Sequence, residues 1–480
     1  MMIPHQLFID GRFVDAENGA TLPVLNPSDG SVIAHVAAAS ADDVDAAVAA
    51  ASRAFQGSWG ALDGAARAAL MLRLADLIER DADEIARLES LANGKILGMA
   101  RHADVANLIR TFRFFAGFAD KLDGRAIAVP DLQDRPVLAY TIREPLGVIG
   151  AIGASNAPSM YVGWKTAAAL AAGNAVVLKP GEESPLSTLH VASLFAEAGF
   201  PAGAFNVIPG TGVITGQALA RHTGIAKLSF TGSGTVGRQL AAEAAALLKP
   251  ITLELGGKAP QIVLASADLE ATAPILAMGF LANQGQICAA GTRILVHRSR
   301  LEELVRHLTA ILQAQVIGDA LDPASTLGPV AGPRALERIL AFCRDGEREG
   351  ASLVTGGQRL DRPGFYMQPA LFVATNHHRI AREEIFGPVA CVIPFDNVED
   401  AVAIANDSAY GLSAGIFTQD LGEAHRLAKR LQAGAIWING FGLIDPALPW
   451  GGVKSSGYGQ ENGLRALDEV THEKVVTALL

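Results

Sequence analysis

Between residues 146 and 248 the chain alternates short apolar runs with helical stretches, and no other feature constrains its fold as strongly. Residues 146–152, 174–178, 205–208 and 225–230 read as strands. Residues 158–171, 184–198, 212–220 and 235–248 read as helices, the second opening at Ser184-Pro185, a pair suited to a cap and first turn. Strand–helix units of this length imply a parallel sheet with right-handed crossovers. Ligands on such sheets sit beyond the carboxyl ends of the strands. Those ends carry Asn156, Lys179 to Glu182, and Thr231 to Gly234.

Elements of other kinds flank this stretch. A helix begins near Ser40, where Asp43 completes a capping-box-like start and Val44, Ala47, Val48, Ala51 and Phe55 keep helical spacing. A second helix runs through Leu70, Leu74, Leu77 and Ile78. Residues 255–438 form another α/β stretch, with strands at 293–296 and 389–394. Segments 127–142 and 474–479 read as strands outside both, of the exposed kind that pairs with another subunit. The longest apolar stretch, 160–178, contains Lys165 and breaks at Gly173-Asn174, so it reads as a buried helix and strand and not as a membrane span.

Bulk properties narrow the function. The formal net charge is −10 and no run of Lys and Arg stands out, which argues against a nucleic-acid surface. Cys288, Cys343 and Cys391 are the only cysteines; they lie far apart, in no metal-binding spacing, so no metal is expected. Sparse, odd cysteine use suits a reducing compartment, and Met1-Met2-Ile3-Pro4-His5 lacks the pattern of a signal peptide, so the expected location is cytoplasmic.

Two segments carry chemistry. Cys288 sits in Asn283-Gln284-Gly285-Gln286-Ile287-Cys288-Ala289-Ala290-Gly291-Thr292-Arg293. A lone cysteine is usually a small core hydrophobe, but two glycines and polar flanks suit a loop where backbone approaches a ligand. Glu254 interrupts a strand-like run in Thr252-Leu253-Glu254-Leu255-Gly256-Gly257-Lys258; alone it would read as a surface acid at a strand end.

Together these segments resemble the signatures of the aldehyde dehydrogenase superfamily, Glu-Leu-Gly-Gly-Lys and Gly-Gln-x-Cys. Further matches follow in order at Lys179-Pro180-Gly181-Glu182, Phe230-Thr231-Gly232-Ser233, Glu384-Ile385-Phe386-Gly387-Pro388 and Pro449-Trp450-Gly451-Gly452-Val453-Lys454-Ser455-Ser456-Gly457. The resemblance implies an α/β fold with two Rossmann-like parallel-sheet domains and a small β oligomerisation arm. It divides the chain into a cofactor-binding domain at 1–124 and 146–254, a catalytic domain at 255–450, an arm at 125–145 and 471–480, and a segment at 451–470 returning to the cofactor-binding side.

The resemblance also assigns roles. Cys288 is the expected nucleophile; its thioester would be hydrolysed with Glu254 as general base, whose presence favours the free acid over transfer to coenzyme A. Asn156 is the expected oxyanion donor. Lys165 and Glu461 match a pair that relays protons from Glu254, though a buried Lys–Glu pair can be purely structural. For the cofactor, Lys179 and Glu182 would hold the adenosine ribose, so NAD is expected over NADP. Gly212, Phe230, Gly232, Leu255 and Gly256 would line its path, and Ser233 and the helix after it would cradle the pyrophosphate. Glu384 and Phe386 would meet the nicotinamide end.

The chain departs from the common pattern at Ala154-Ser155 (often Pro-Trp), Ala157 (often aromatic), Trp450 (often Phe) and Gln460 (often Arg). The expected substrate positions are Ala157, Tyr161, Trp164, Ile287, Ile444 and Trp450; none is charged, which points to an uncharged aromatic or medium-chain aldehyde. Arg110 or Arg113 entering from a neighbouring segment would change that. A semialdehyde dehydrogenase, a thiol esterase and a non-catalytic member of the fold stand as alternatives. A homodimer or homotetramer is the expected assembly, with no nucleic-acid or membrane partner.

Overall fold

A computed structural model describes residues 4–480; Met1–Ile3, and with them part of the leader reading, lie outside the described residues. Five parallel strands form the centre of an eight-stranded sheet: Ile251–Glu254, Lys227–Thr231, Val148–Ile152, Ala175–Lys179 and Phe205–Val207, in that spatial order. The chain runs outward in one direction through 148–152, 175–179 and 205–207, then returns to the other side of 148–152 with 227–231 and 251–254. The order therefore reverses between Val148–Ile152 and Lys227–Thr231, and a crevice opens at such a reversal. Continuous apolar runs such as Val148-Ile149-Gly150-Ala151-Ile152 are buried throughout because helices cover both faces.

Most helices lie where the periodicity placed them. Ser40 caps Ala41–Gln56, accepting from the Asp43 amide while the Asp43 side chain accepts in return. Pro158–Ala171 matches its expected bounds. Two expectations need correction. The Ser184 hydroxyl does not cap its helix: it donates to the Ser155 carbonyl at 2.6 Å, and the helix begins at Leu186. The stretch from Gly212 is not one α-helix but a π-turn, Gly212–Gly216, followed by a short α-helix, Gln217–Arg221.

A second sheet of seven strands runs from Ser352–Thr355 at one edge to Ala435–Ile438 at the other; only Ser352–Thr355 is antiparallel to its neighbour. Thr471–Leu479 pairs with Val137–Pro145 along its whole length, and Ala126–Ile127 adds a third strand. The expected strand at 127–142 is thus two strands with a turn between them. Gly457–Tyr458 returns to the eight-stranded sheet beside Ile251–Glu254. No helix among the described residues is long and apolar enough to cross a membrane.

Candidate active site

Three of the five central strands of the first sheet deliver a polar residue at their carboxyl ends: Lys179, Thr231 and Glu254. Ahead of them lies a cleft of about 710 Å³ lined by Lys179, Glu182, Gly212, Phe230, Gly232 and their neighbours. The Glu182 carboxylate accepts from the Gly212 N–H at 2.5 Å. Burial lowers the Lys179 ammonium to about 8. Gly232 is required by the Phe230 ring, which would lie 2.4 Å from a Cβ there. Ser233 acts as the N-cap of Gly234–Ala246, accepting from the Val236 amide at 3.4 Å. Its O–H is still free to donate, and with the helix N–H groups it remains to meet an anion. Leu255 fills the groove left by Gly237, where a Cβ would stand 2.5 Å from its methyl.

The loop Leu255–Lys258 connects this sheet to the thiol. A Cβ on Gly257 would stand 2.4 Å from the Cys288 carbonyl oxygen, and one on Gly256 would stand 2.1 Å from the Glu384 carboxylate. The Gly257 N–H donates to Glu384 at 3.2 Å. Burial lifts Glu384 to about 7 despite that bond. Phe386, two residues on, holds a positive φ of 53°.

Cys288 is half-buried and follows a strained loop. Asn283, Gln284 and Gly285 hold φ of 49°, 55° and 69°, three consecutive left-handed residues. Gly285 has no substitute: a Cβ would lie 2.1 Å from the Gly387 carbonyl oxygen. Strain of this kind persists only where surrounding contacts fix it. Here the Asn283 amide supplies them, donating to the carbonyls of Asn156 at 2.9 Å and Gln286 at 3.2 Å.

Asn156 is buried and clamped on both sides. Its Nδ2 donates to the Gln286 carbonyl at 2.9 Å, and its Oδ1 accepts from the Tyr161 hydroxyl at 3.1 Å. One amide hydrogen remains for another acceptor.

Glu254 is buried, with neither carboxylate oxygen in a well-formed hydrogen bond, although the Trp450 side chain lies close enough to favour its ionised form. Burial, and then the neighbouring Glu461, drive its carboxyl well above the usual range. Lys165 forms a buried ion pair with Glu461, and the Ser229 hydroxyl touches both, at 3.1 Å from Lys165 Nζ and 2.9 Å from the Glu461 carboxylate. Ser229 was not anticipated; its place two residues before Thr231 on the same strand face was the available signal.

Among the described residues, no cation acts on the thiol. Burial, followed by the charges of Glu384 and Glu254, pushes Cys288 up to about 12. In the protein without ligands, alkylation by iodoacetamide is expected to be slow at neutral pH and to climb roughly tenfold per pH unit, without a plateau, through the weakly alkaline range. A plateau near pH 8, read from the rate of thiol loss, would show that the site holds a thiolate at rest.

A tunnel of about 700 Å³ reaches Cys288, and all six anticipated substrate positions line it: Ala157, Tyr161, Trp164, Ile287, Ile444 and Trp450. Trp437 and Phe441 join them, giving an aromatic wall with ring centroids 5.7 Å apart for Trp164 and Trp450 and 6.3 Å for Trp437 and Trp450. Trp164 is fixed by its indole N–H, which donates to Asn107 Oδ1 at 2.7 Å. The tunnel is not free of charge, however: Lys95, Asp104 and Arg110 also line it. Arg113 does not, being paired on the surface with Asp76 and Glu79.

The chain matches the aldehyde dehydrogenase family over residues 13–476. It is 42% identical to mouse mitochondrial 10-formyltetrahydrofolate dehydrogenase over 99% of its own length, and it spans only 52% of that larger protein. It is 43% identical to the mitochondrial benzaldehyde dehydrogenase of Antirrhinum majus, covering 99% of this chain and 89% of that one. The structure of an aldehyde dehydrogenase from Bacillus cereus in complex with NAD+ superposes with a TM-score of 0.97 at 41% identity, over 99% of this chain and 96% of that one. The chain therefore belongs to the aldehyde dehydrogenase family.

Proposed function

We propose that the protein oxidises an uncharged aromatic or medium-chain aldehyde to its carboxylic acid through a thioester on Cys288, with NAD as electron acceptor. One observation carries this reading: a half-buried thiol and a clamped amide with one hydrogen to spare line one aromatic tunnel, and the buried Glu254 carboxyl lies against Trp450 of its wall. The Cys288 thiol gives its proton to the discharged Glu254 carboxylate, whose charge it feels, and Sγ then adds to the carbonyl carbon. The spare Asn156 N–H, with the Cys288 backbone N–H, meets the charge that develops on oxygen. Tyr161 fixes which way the amide faces. In the second half, Glu254 takes a proton from the water that attacks the thioester. Burial favours a proton on Glu254 at rest, so it must discharge before each of these two transfers, and the Lys165–Glu461–Ser229 cluster is its outlet.

The cleft fits a dinucleotide. Thr231 Oγ1 lies buried on its wall without a partner, and Gly212 and Gly232 keep side chains out of it. Lys179 and Glu182 hold the adenosine ribose, and Glu182, pinned by Gly212, repels a 2′-phosphate, which favours NAD over NADP. The start of Gly234–Ala246 faces the pyrophosphate, while Glu384 and Phe386, beyond Gly256, receive the nicotinamide ribose. When bound, the cofactor accepts the hydride released as the thioester forms. The eight-stranded sheet then serves as the cofactor-binding unit and the seven-stranded sheet as the catalytic one. The exposed strands 137–145 and 471–479 join a second copy in a homodimer or homotetramer, and the three free thiols suit a reducing, cytoplasmic setting.

The aromatic wall and a relative named for benzaldehyde support the substrate class. The test is reduced-cofactor absorbance over a panel of aromatic, aliphatic and short carboxylated aldehydes, with NAD and separately with NADP. Turnover is expected with NAD and bulky uncharged aldehydes. Glu254→Gln should give one slowed burst of reduced cofactor per site, then a steady rate lower by roughly 10²–10⁴-fold. Preference by kcat/KM for short carboxylated semialdehydes overturns the substrate assignment, and an absent burst overturns the role of Glu254.

A further inference from the structure

The helix Pro158–Ala171 carries Tyr161, Trp164 and Lys165 into the site, yet it has no cap of its own. Its N-cap residue is Ala157, whose methyl group cannot accept from the first-turn amides. The missing acceptor comes from another helix. Glu89, on Ala82–Asn93, is fully buried, and its Oε2 accepts from the Ser159 N–H at 3.1 Å. One turn on, Asn93 Nδ2 donates to the Ser155 carbonyl at 2.7 Å, the same carbonyl that accepts from Ser184. Four-residue spacing puts Glu89 and Asn93 on one helix face. That face grips the backbone on both sides of Asn156.

The charge on Glu89 is maintained through its other oxygen. Gly94 ends the helix in the left-handed region, with φ of 84°, and a Cβ there would stand 2.5 Å from the Pro329 carbonyl oxygen. The reversal brings Lys95 back to Glu89 Oε1 at 2.7 Å, and Lys95 pairs with Asp104 as well. Two buried carboxyls thus share one ammonium. Burial holds the Asp104 carboxyl well above the usual range. Against its own burial, Glu89 is held below that range by Lys95. An ionised acceptor at a helix N-terminus bonds more strongly than a neutral one and is favoured by the helix dipole.

We infer that Glu89, with Asn93, is a positioning residue for the oxyanion donor: the pair fixes the backbone that aims the spare Asn156 N–H at the reacting carbonyl. The inference rests on the reading of Asn156 as donor to an aldehyde on Cys288 and extends it. Such donors act only when preorganised, and a displacement of about 1 Å can cost roughly 10²-fold in rate. Neither Glu89 nor Asn93 lines the tunnel, so their loss should appear in kcat and not in KM.

The test is a double-mutant cycle with NAD and the panel aldehyde that the wild type oxidises fastest. Glu89→Leu keeps the volume but removes the acceptor. It should lower kcat roughly 10–100-fold, with KM and the NAD dissociation constant within about twofold of wild type. Glu89→Gln keeps an oxygen for the Ser159 N–H and should recover most of that loss. In the Asn156→Ala background, Glu89→Leu should cost less than about twofold, because the amide it positions is gone. A purely structural role would lower both backgrounds alike. Equal losses in the two backgrounds, or Glu89→Gln as slow as Glu89→Leu, overturn the inference. Lys95 keeps Asp104 as a partner in both Glu89 variants, so no buried ammonium is left unpaired. Should Glu89→Leu melt below the assay temperature, Asn93→Leu carries the same cycle, with a smaller loss because Ser184 still holds the Ser155 carbonyl. No turnover with any aldehyde in the wild type instead overturns the reading of Cys288, and the role of Asn156 with it.

Discussion

Cys288→Ala should lower aldehyde oxidation by roughly 10⁵-fold or more, because no other group near the tunnel can form the acyl intermediate. Cys343 and Cys391 are buried in the second sheet's core and cannot take over. The loop geometry should survive the change. Its left-handed residues are held by Gly285 and by Asn283, and the Cys288 side chain takes no part in either contact. Titration calorimetry should therefore show NAD bound as tightly by the variant as by the wild type, while reduced-cofactor absorbance stays flat. Residual turnover above about one per cent would mean that another nucleophile, or a direct attack by water, carries the reaction.

Asn156→Ala should cost roughly 10²–10³ in kcat, about 2.7–4 kcal/mol, the usual effect of deleting one oxyanion donor. A second cost is structural. The Tyr161 hydroxyl loses its acceptor inside a buried wall, and the Gln286 carbonyl loses a donor; buried groups left unsatisfied cost about 1–3 kcal/mol each. Asn156→Asp removes only part of the structural cost, because it too loses the donor to the Gln286 carbonyl. Its carboxylate still accepts from Tyr161 but offers no N–H to a developing alkoxide. If Asn156→Asp retained most of the wild-type kcat, Asn156 would be a positioning residue only. Thermal melting of both variants beside the wild type reads the structural part.

The alternating elements were legible because their signals are local. A capping box at Ser40 and Asp43, helical spacing over Pro158–Ala171 and apolar runs such as Ala175–Lys179 each declare themselves within a few residues. The N-terminal strands were not. Leu7–Ile9 joins the first sheet only through Phe8 opposite Val207, a partner 199 positions away that no local pattern announces. Ser184 misled because a Ser-Pro pair predicts a cap, whereas its hydroxyl found the Ser155 carbonyl across the structure. At the site, ordered motifs located Cys288, Glu254 and Glu384; Arg110 was named beside Arg113 without a way to choose between them, and Lys95 and Asp104 escaped. A π-turn at Ala100–Val105 breaks the 3.6-residue periodicity just before Ala106–Ala116, so the face that Arg110 presents could not be counted from its neighbours.

The crowding of tryptophans around the thiol has a use beyond packing. Trp164, Trp437 and Trp450 line the tunnel, and Trp59, buried in the first sheet's core, is the only other indole in the chain. Ultraviolet emission from the native protein is therefore dominated by fluorophores at the reacting centre. An aldehyde, acid or reduced nicotinamide entering that space will quench or shift it, so occupancy of the tunnel can be followed in real time without a label or an engineered probe.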